Sequence, residues 1–203
     1  MFVFAVLVLL VFNFTLALDR ESARQLGPGV LWVAFIFSGS LGLNRSFASE
    51  RENRALQGLM LAPVDRSAIY FGKLASNVIF MVVAELFLIP LFVVFFNFNF
   101  FAELPVRATM TFLLIVGVGT LGYAAVGTTL AAIAANTTMR EVLLPVLLFP
   151  VAVPVVIGAA ESTRLVFQQD LFSNPWSWIR LLILFALVFL VVSWMTFEYV
   201  LED

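Results

Sequence analysis

Long apolar stretches follow one another along this chain with only short polar interruptions, and that rhythm constrains its fold more than any motif does. The first, MFVFAVLVLLVFNFTLAL, has Asn13 and Thr15 as its polar residues and ends at Asp19, Arg20, Glu21 and Ser22. A helix needs about 20 apolar residues to cross the hydrocarbon core of a bilayer. The chain has 203 residues, 63% of them hydrophobic and 12% charged, and a mean hydropathy of +1.07. Soluble domains are about 45–50% apolar and about 25% charged, so this chain needs lipid as part of its solvent. Crossings at that density use most of the residues and leave only short connections, with no room for a soluble catalytic domain.

The pattern predicts an all-α, polytopic membrane protein with six transmembrane helices in a single domain over residues 1–203. The spans are expected at about 1–18, 30–47, 67–96, 108–135, 142–160 and 177–200. The first could be mistaken for a signal peptide, but it lacks a basic leading region and an A-x-A-like cleavage site, so it reads as a span. Gly27-Pro28-Gly29 is expected to mark the start of the second. Pro145, Pro150 and Pro154 fall within one apolar stretch and predict a discontinuous or re-entrant element there. Trp176, Trp178 and Trp194 bracket the last span in the manner of interfacial belt residues.

What is missing narrows the chemistry. A net charge of −2 gives no electrostatic reason to expect nucleic acid, whose binding proteins carry clustered Lys and Arg. The sequence contains no Cys and no His, which removes disulfides, thiolate catalysis, the usual general base and the commonest metal and haem ligand. A membrane-embedded protease or transferase would need clustered Asp, His or Cys residues in the membrane, whereas Glu85 stands alone at depth. No catalytic, cofactor-binding or metal-binding residues are therefore assigned.

One polar segment is different in kind. Five of the eleven Lys and Arg residues lie between Arg45 and Lys73. Within it Phe47, Ala48, Ala55, Leu56, Leu59 and Met60 recur near a helical period, while Arg45, Glu50, Arg51, Glu52, Arg54 and Gln57 fill the other face. This predicts a short amphipathic helix on the membrane surface, with Glu50 and Arg54 as an i, i+4 pair, Pro63 as its stop, and Asp65 or Ser67 capping the next helix. Placing the segment in the cytoplasm puts Arg45, Arg51, Arg54, Arg66, Lys73 and Arg140 inside and Arg20, Arg24, Arg107 and Arg164 outside, with both termini inside. The segment has two readings: a solvated loop that enforces topology, or a helix that seats apolar residues in the groove of a soluble motor.

The run GVLWVAFIFSGSLGLNRSFASERENRALQGLMLAPVDRSAIYFGKLASNVIF, followed by Glu85, Pro90 and LLPVLLFPVAVPVVIG, resembles CcmB, the permease family of the cytochrome c maturation ABC transporter. Its most specific part is Gly42 to Lys73, where G-L-x-R-S-F, E-x-E-x-x-x-L-x-G-L and P-V-D-R-S-x-I-Y-x-G-K occur in order. The N-terminus departs from the family pattern, which has a basic segment before the first helix. The resemblance implies an ABC-2-like exporter fold in a bacterial inner membrane, a CcmA-like ATPase partner and a second copy of this chain. It also implies CcmC-like and CcmD-like membrane proteins, a CcmE-like chaperone, and haem as the substrate of the complex. ATPase coupling is then expected at Arg51, Glu52, Leu56, Leu59, Pro63 and Arg66. ATP itself belongs to the partner, because Gly72-Lys73 lacks the upstream Gly and following Ser or Thr of a phosphate loop.

Two further features carry expectations. Glu85 interrupts an apolar run, at a cost of about 2.5–3.5 kcal/mol on insertion scales, so it must face protein or water. It either lines a substrate path or braces helices as a neutral or paired acid, with Pro90 close by to bend the helix. Gly127, Ala131 and Ala135, with Gly117, Gly119 and Gly122 upstream, form a small-residue stripe suited to close helix packing. Haem ligation by this chain would fall to Met81, Met110, Tyr123, Met195 or Tyr199, and these are weak ligands without a stronger partner, so no directly bound cofactor is expected. An exporter of lipids, glycans or drugs and a non-transporting ATPase scaffold remain as alternatives.

Overall fold

The computed structural model describes residues 2–16, 20–52, 66–135, 137, 139–168 and 174–200. Among them are seven helices and no strand. In chain order these are α1 (Phe2–Leu16), α2 (Arg20–Glu52), α3 (Arg66–Phe96), α4 (Phe100–Glu103), α5 (Val106–Ala135), α6 (Arg140–Gln168) and α7 (Trp176–Val200). Five contain stretches long and apolar enough to cross a membrane: Glu21–Asn44, Ser67–Phe96, Val106–Ala134, Val142–Gln168 and Trp176–Phe197. The chain is thus built as a multi-pass membrane protein. The apolar part of α1, Val3–Leu16, is shorter; its 15-residue helix rises about 22 Å against a core of about 30 Å.

Helix α5 occupies the middle of the bundle, packed by α2, α3, α6 and α7. Most of its residues from Gly119 to Thr129 are buried, and small side chains make that possible. A Cβ on Gly119 would lie 2.4 Å from the Trp32 ring of α2, and one on Gly127 would lie 2.4 Å from Leu43 Cδ1 of the same helix. Two glycines two turns apart therefore let α2 and α5 approach closely. Gly122 meets Ala186 of α7 instead, while Gly117 meets nothing.

Two expectations about helix ends need correction. Gly27-Pro28-Gly29 does not open the second long helix: α2 starts at Arg20 and runs through Pro28. Proline removes one backbone hydrogen bond here, but tertiary contacts hold the turns before it. The Phe92 ring packs on Gly27, Ala23 is buried, and Arg24 is paired with Glu103 of α4 at 2.9 Å. Nor do Pro145, Pro150 and Pro154 break the chain, since α6 continues from Arg140 to Gln168. Leu144, Leu148, Ala152, Val155 and Ala159 form a fully buried stripe along it, and that packing maintains the helix past three missing donors.

Helix ends are capped both locally and by neighbouring helices. Asn97, just after α3, has φ 47°, the left-handed conformation in which asparagine terminates helices. Asn13 Nδ2 of α1 donates to the Phe95 carbonyl in the last turn of α3 at 2.5 Å, satisfying one of the acceptors a helix end leaves open. Asn174 Oδ1 accepts from the Trp176 amide at 3.0 Å and starts α7.

Candidate functional site

Buried polar side chains in an apolar bundle are where a membrane protein concentrates its specific chemistry. Glu85 is one: it sits in the middle of α3, is 6% exposed, and its Oε1 accepts a 2.5 Å hydrogen bond from Thr120 Oγ1 of α5. Two turns earlier on the same face, Asn77 is 3% exposed and donates from Nδ2 to Thr128 Oγ1 at 2.9 Å. Lys73, one further turn back, is also buried. Asn77 and Glu85 thus lie on the side of α3 that meets α5, and Met81 between them reaches Gly39 of α2.

Other hydrogen bonds stitch the remaining helices to this centre. Tyr123 Oη of α5 donates to the Ile36 carbonyl of α2 at 3.1 Å. Trp32 Nε1 donates to Thr163 Oγ1 of α6 at 3.0 Å, and Ser193 Oγ of α7 donates to the Ala125 carbonyl at 3.2 Å. The Arg24 guanidinium of α2 lies 5.1 Å from the Phe98 ring centroid while paired to Glu103.

Sequence reasoning located Glu85 but not its partner. Hydroxyls on helices commonly satisfy themselves on the i−4 carbonyl, so Thr120 and Thr128 carried no signal alone. The eight-residue spacing of Asn77 and Glu85 was the available clue. Pro90 lies within α3, which continues to Phe96. The expected coupling residues do not come together in a described site. Arg51 and Glu52 end the backbone of α2 and Arg66 begins α3, while Leu56, Leu59 and Pro63 lie outside the described residues.

The haem-ligand candidates with described side chains are spread through the bundle, and the Tyr199 side chain lies outside what the structure describes. Met81 and Tyr123 both pack at Gly39 of α2, with the Tyr123 hydroxyl already engaged by Ile36. Met110 and Met195 are exposed on the outer faces of α5 and α7. Among the described residues no group of three or more His, Cys, Asp or Glu could hold a metal ion. An apolar groove of about 290 Å³ lies between α2 and α6, with Val33, Phe37, Phe149 and Val153 among its walls.

Comparison with known proteins gives a consistent result. The chain is 25% identical to heme exporter protein B of Pseudomonas aeruginosa over 91% of its own length and 80% of that protein's. It is 27% identical to heme exporter protein B of Bradyrhizobium diazoefficiens over 91% and 81%. The protein of the same name from Rhodobacter capsulatus is 27% identical over 79% and 71%. The family model described as CcmB protein matches residues 1–202, and with a match over that whole length the chain belongs to the CcmB family.

Proposed function

We propose that the chain is the membrane subunit of an ABC transporter complex needed to make c-type cytochromes. A partner CcmA-like ATPase supplies the energy, and the complex uses it to export haem or to release a haem-loaded, CcmE-like chaperone. The observation that carries this reading is the family match across residues 1–202, joined by relatives named heme exporter protein B over most of the chain. In this reading α1 completes six spans, two copies assemble with two ATPases, CcmC-like and CcmD-like proteins handle haem beside them, and the site is a bacterial inner membrane. This chain is not itself an enzyme.

The motor docks on residues 48–66. Leu56 and Leu59 seat in the ATPase, Arg51, Glu52 and Arg66 set the register, and Pro63 ends the docking helix before α3 begins. A push on this segment reaches both α2, which ends at Glu52, and α3, which starts at Arg66. Changing Leu59→Asp should abolish co-purification of the ATPase and c-type cytochrome production while leaving the amount of this subunit in the membrane unchanged. Normal retention of the ATPase would contradict the docking assignment.

One observation favours a second reading. The groove between α2 and α6 is lined by apolar side chains, which suits an acyl chain and hence a lipid exporter. Deleting the gene separates the two: loss of c-type cytochromes supports haem handling, whereas intact cytochromes with altered envelope lipid supports the alternative.

A further inference from the structure

The two hydrogen bonds between α3 and α5 share one geometry. Asn77 and Glu85 are eight residues apart on α3, and their partners Thr128 and Thr120 are eight residues apart on α5, in reverse order. Eight residues rise about 12 Å, so a single antiparallel register satisfies both bonds. Midway between them the same register aligns Met81 with Ala124, and both are buried.

A slide of one turn destroys both bonds in either direction. It sets Asn77 opposite Ala124 or Ala132, and Glu85 opposite Ala124 or Val116, none of which offers a side-chain hydrogen bond. Apolar contact discriminates poorly between these registers, because lipid solvates apolar surfaces as well as a neighbouring helix does. The small residues of α5 look alike one turn on. We infer that Asn77, Glu85, Thr120 and Thr128 are positioning residues that lock α3 and α5 into one rigid unit, which carries motion from the docking segment across the membrane. The lock stands on the hydrogen bonds; the transmission rests on the proposed ATPase coupling.

The native chain has no cysteine, so a cysteine pair can report on the register without background. Ile89 and Val116 continue the same register beyond Glu85 and are both buried. The complex carrying Ile89→Cys and Val116→Cys is treated in native membranes with a short bis-methanethiosulfonate, alone and with Asn77→Leu and Thr120→Val added. The lock requires efficient cross-linking in the first case and a several-fold drop in the second, at unchanged membrane level. Exchanging the pair, Asn77→Thr with Thr128→Asn, should retain the cross-link and c-type cytochrome production, and should serve as the deciding variant if the double change prevents insertion. Undiminished cross-linking with both bonds removed, or a lost cross-link in the exchanged pair, would overturn the lock. A reduced cross-link with full cytochrome production and retained ATPase would overturn the transmission role while leaving the docking assignment standing.

Discussion

Helices α3 and α6 meet the same problem, a proline inside a long apolar helix, with different means. On α3 the buried face carries Asn77 and Glu85, each bonded to a hydroxyl of α5. On α6 the buried stripe from Leu144 to Ala159 is wholly apolar, and its tie to α2 comes at the far end, where Thr163 accepts from Trp32. Packing alone is enough to keep α6 continuous through three prolines. Continuity and register are thus separate demands: apolar burial supplies the first, and directional hydrogen bonds supply the second.

The largest test of that contrast sits where the two regions meet. Trp32 packs on Gly119 of α5 while its indole N–H is held by Thr163 of α6, so it has little freedom to withdraw. Gly119→Leu should cost about 3 kcal/mol or more through overpacking, seen as loss of folded protein or a much lower unfolding midpoint in detergent micelles. Wild-type stability would mean that the α2 and α5 crossing is loose. A smaller effect is expected from Thr120→Val, which leaves the Glu85 carboxyl without this donor: about 1–2 kcal/mol by the same measurement. Glu85→Gln keeps an acceptor for Thr120 and should cost less than about 1 kcal/mol while retaining assembly and c-type cytochromes. Loss of cytochromes with assembly intact would give Glu85 a role beyond bracing. The smallest effect belongs to α6. Pro150→Ala restores a donor for the Val146 carbonyl and should change stability by no more than about 1 kcal/mol; a large loss would show that the proline shapes the helix.

Much of this architecture can be read directly from residue order. The apolar runs mark where the long helices lie, the small residues of α5 announce its close contacts, and Glu85 stands out against its surroundings. What escaped depends on neighbours. Gly27-Pro28-Gly29 carries every local signal of a boundary, yet Phe92 and the Arg24 pair hold α2 together across it. The prolines of α6 likewise signal a break that burial overrides. The partners of Asn77 and Glu85 are invisible in sequence because a threonine hydroxyl on a helix has a local acceptor by default, and only the antiparallel packing of α3 on α5 redirects it.

The account turns on whether directional bonds place α3 on α5, and a double-mutant cycle on Asn77 and Thr128 addresses that most directly. Asn77→Leu, Thr128→Val and the pair together are compared with the native chain by unfolding in mixed micelles. The expected result is a coupling of about 0.5–2 kcal/mol, each single change costing nearly as much as the double. Additive losses, with coupling within about 0.3 kcal/mol of zero, would contradict the account and leave apolar packing to set the register by itself.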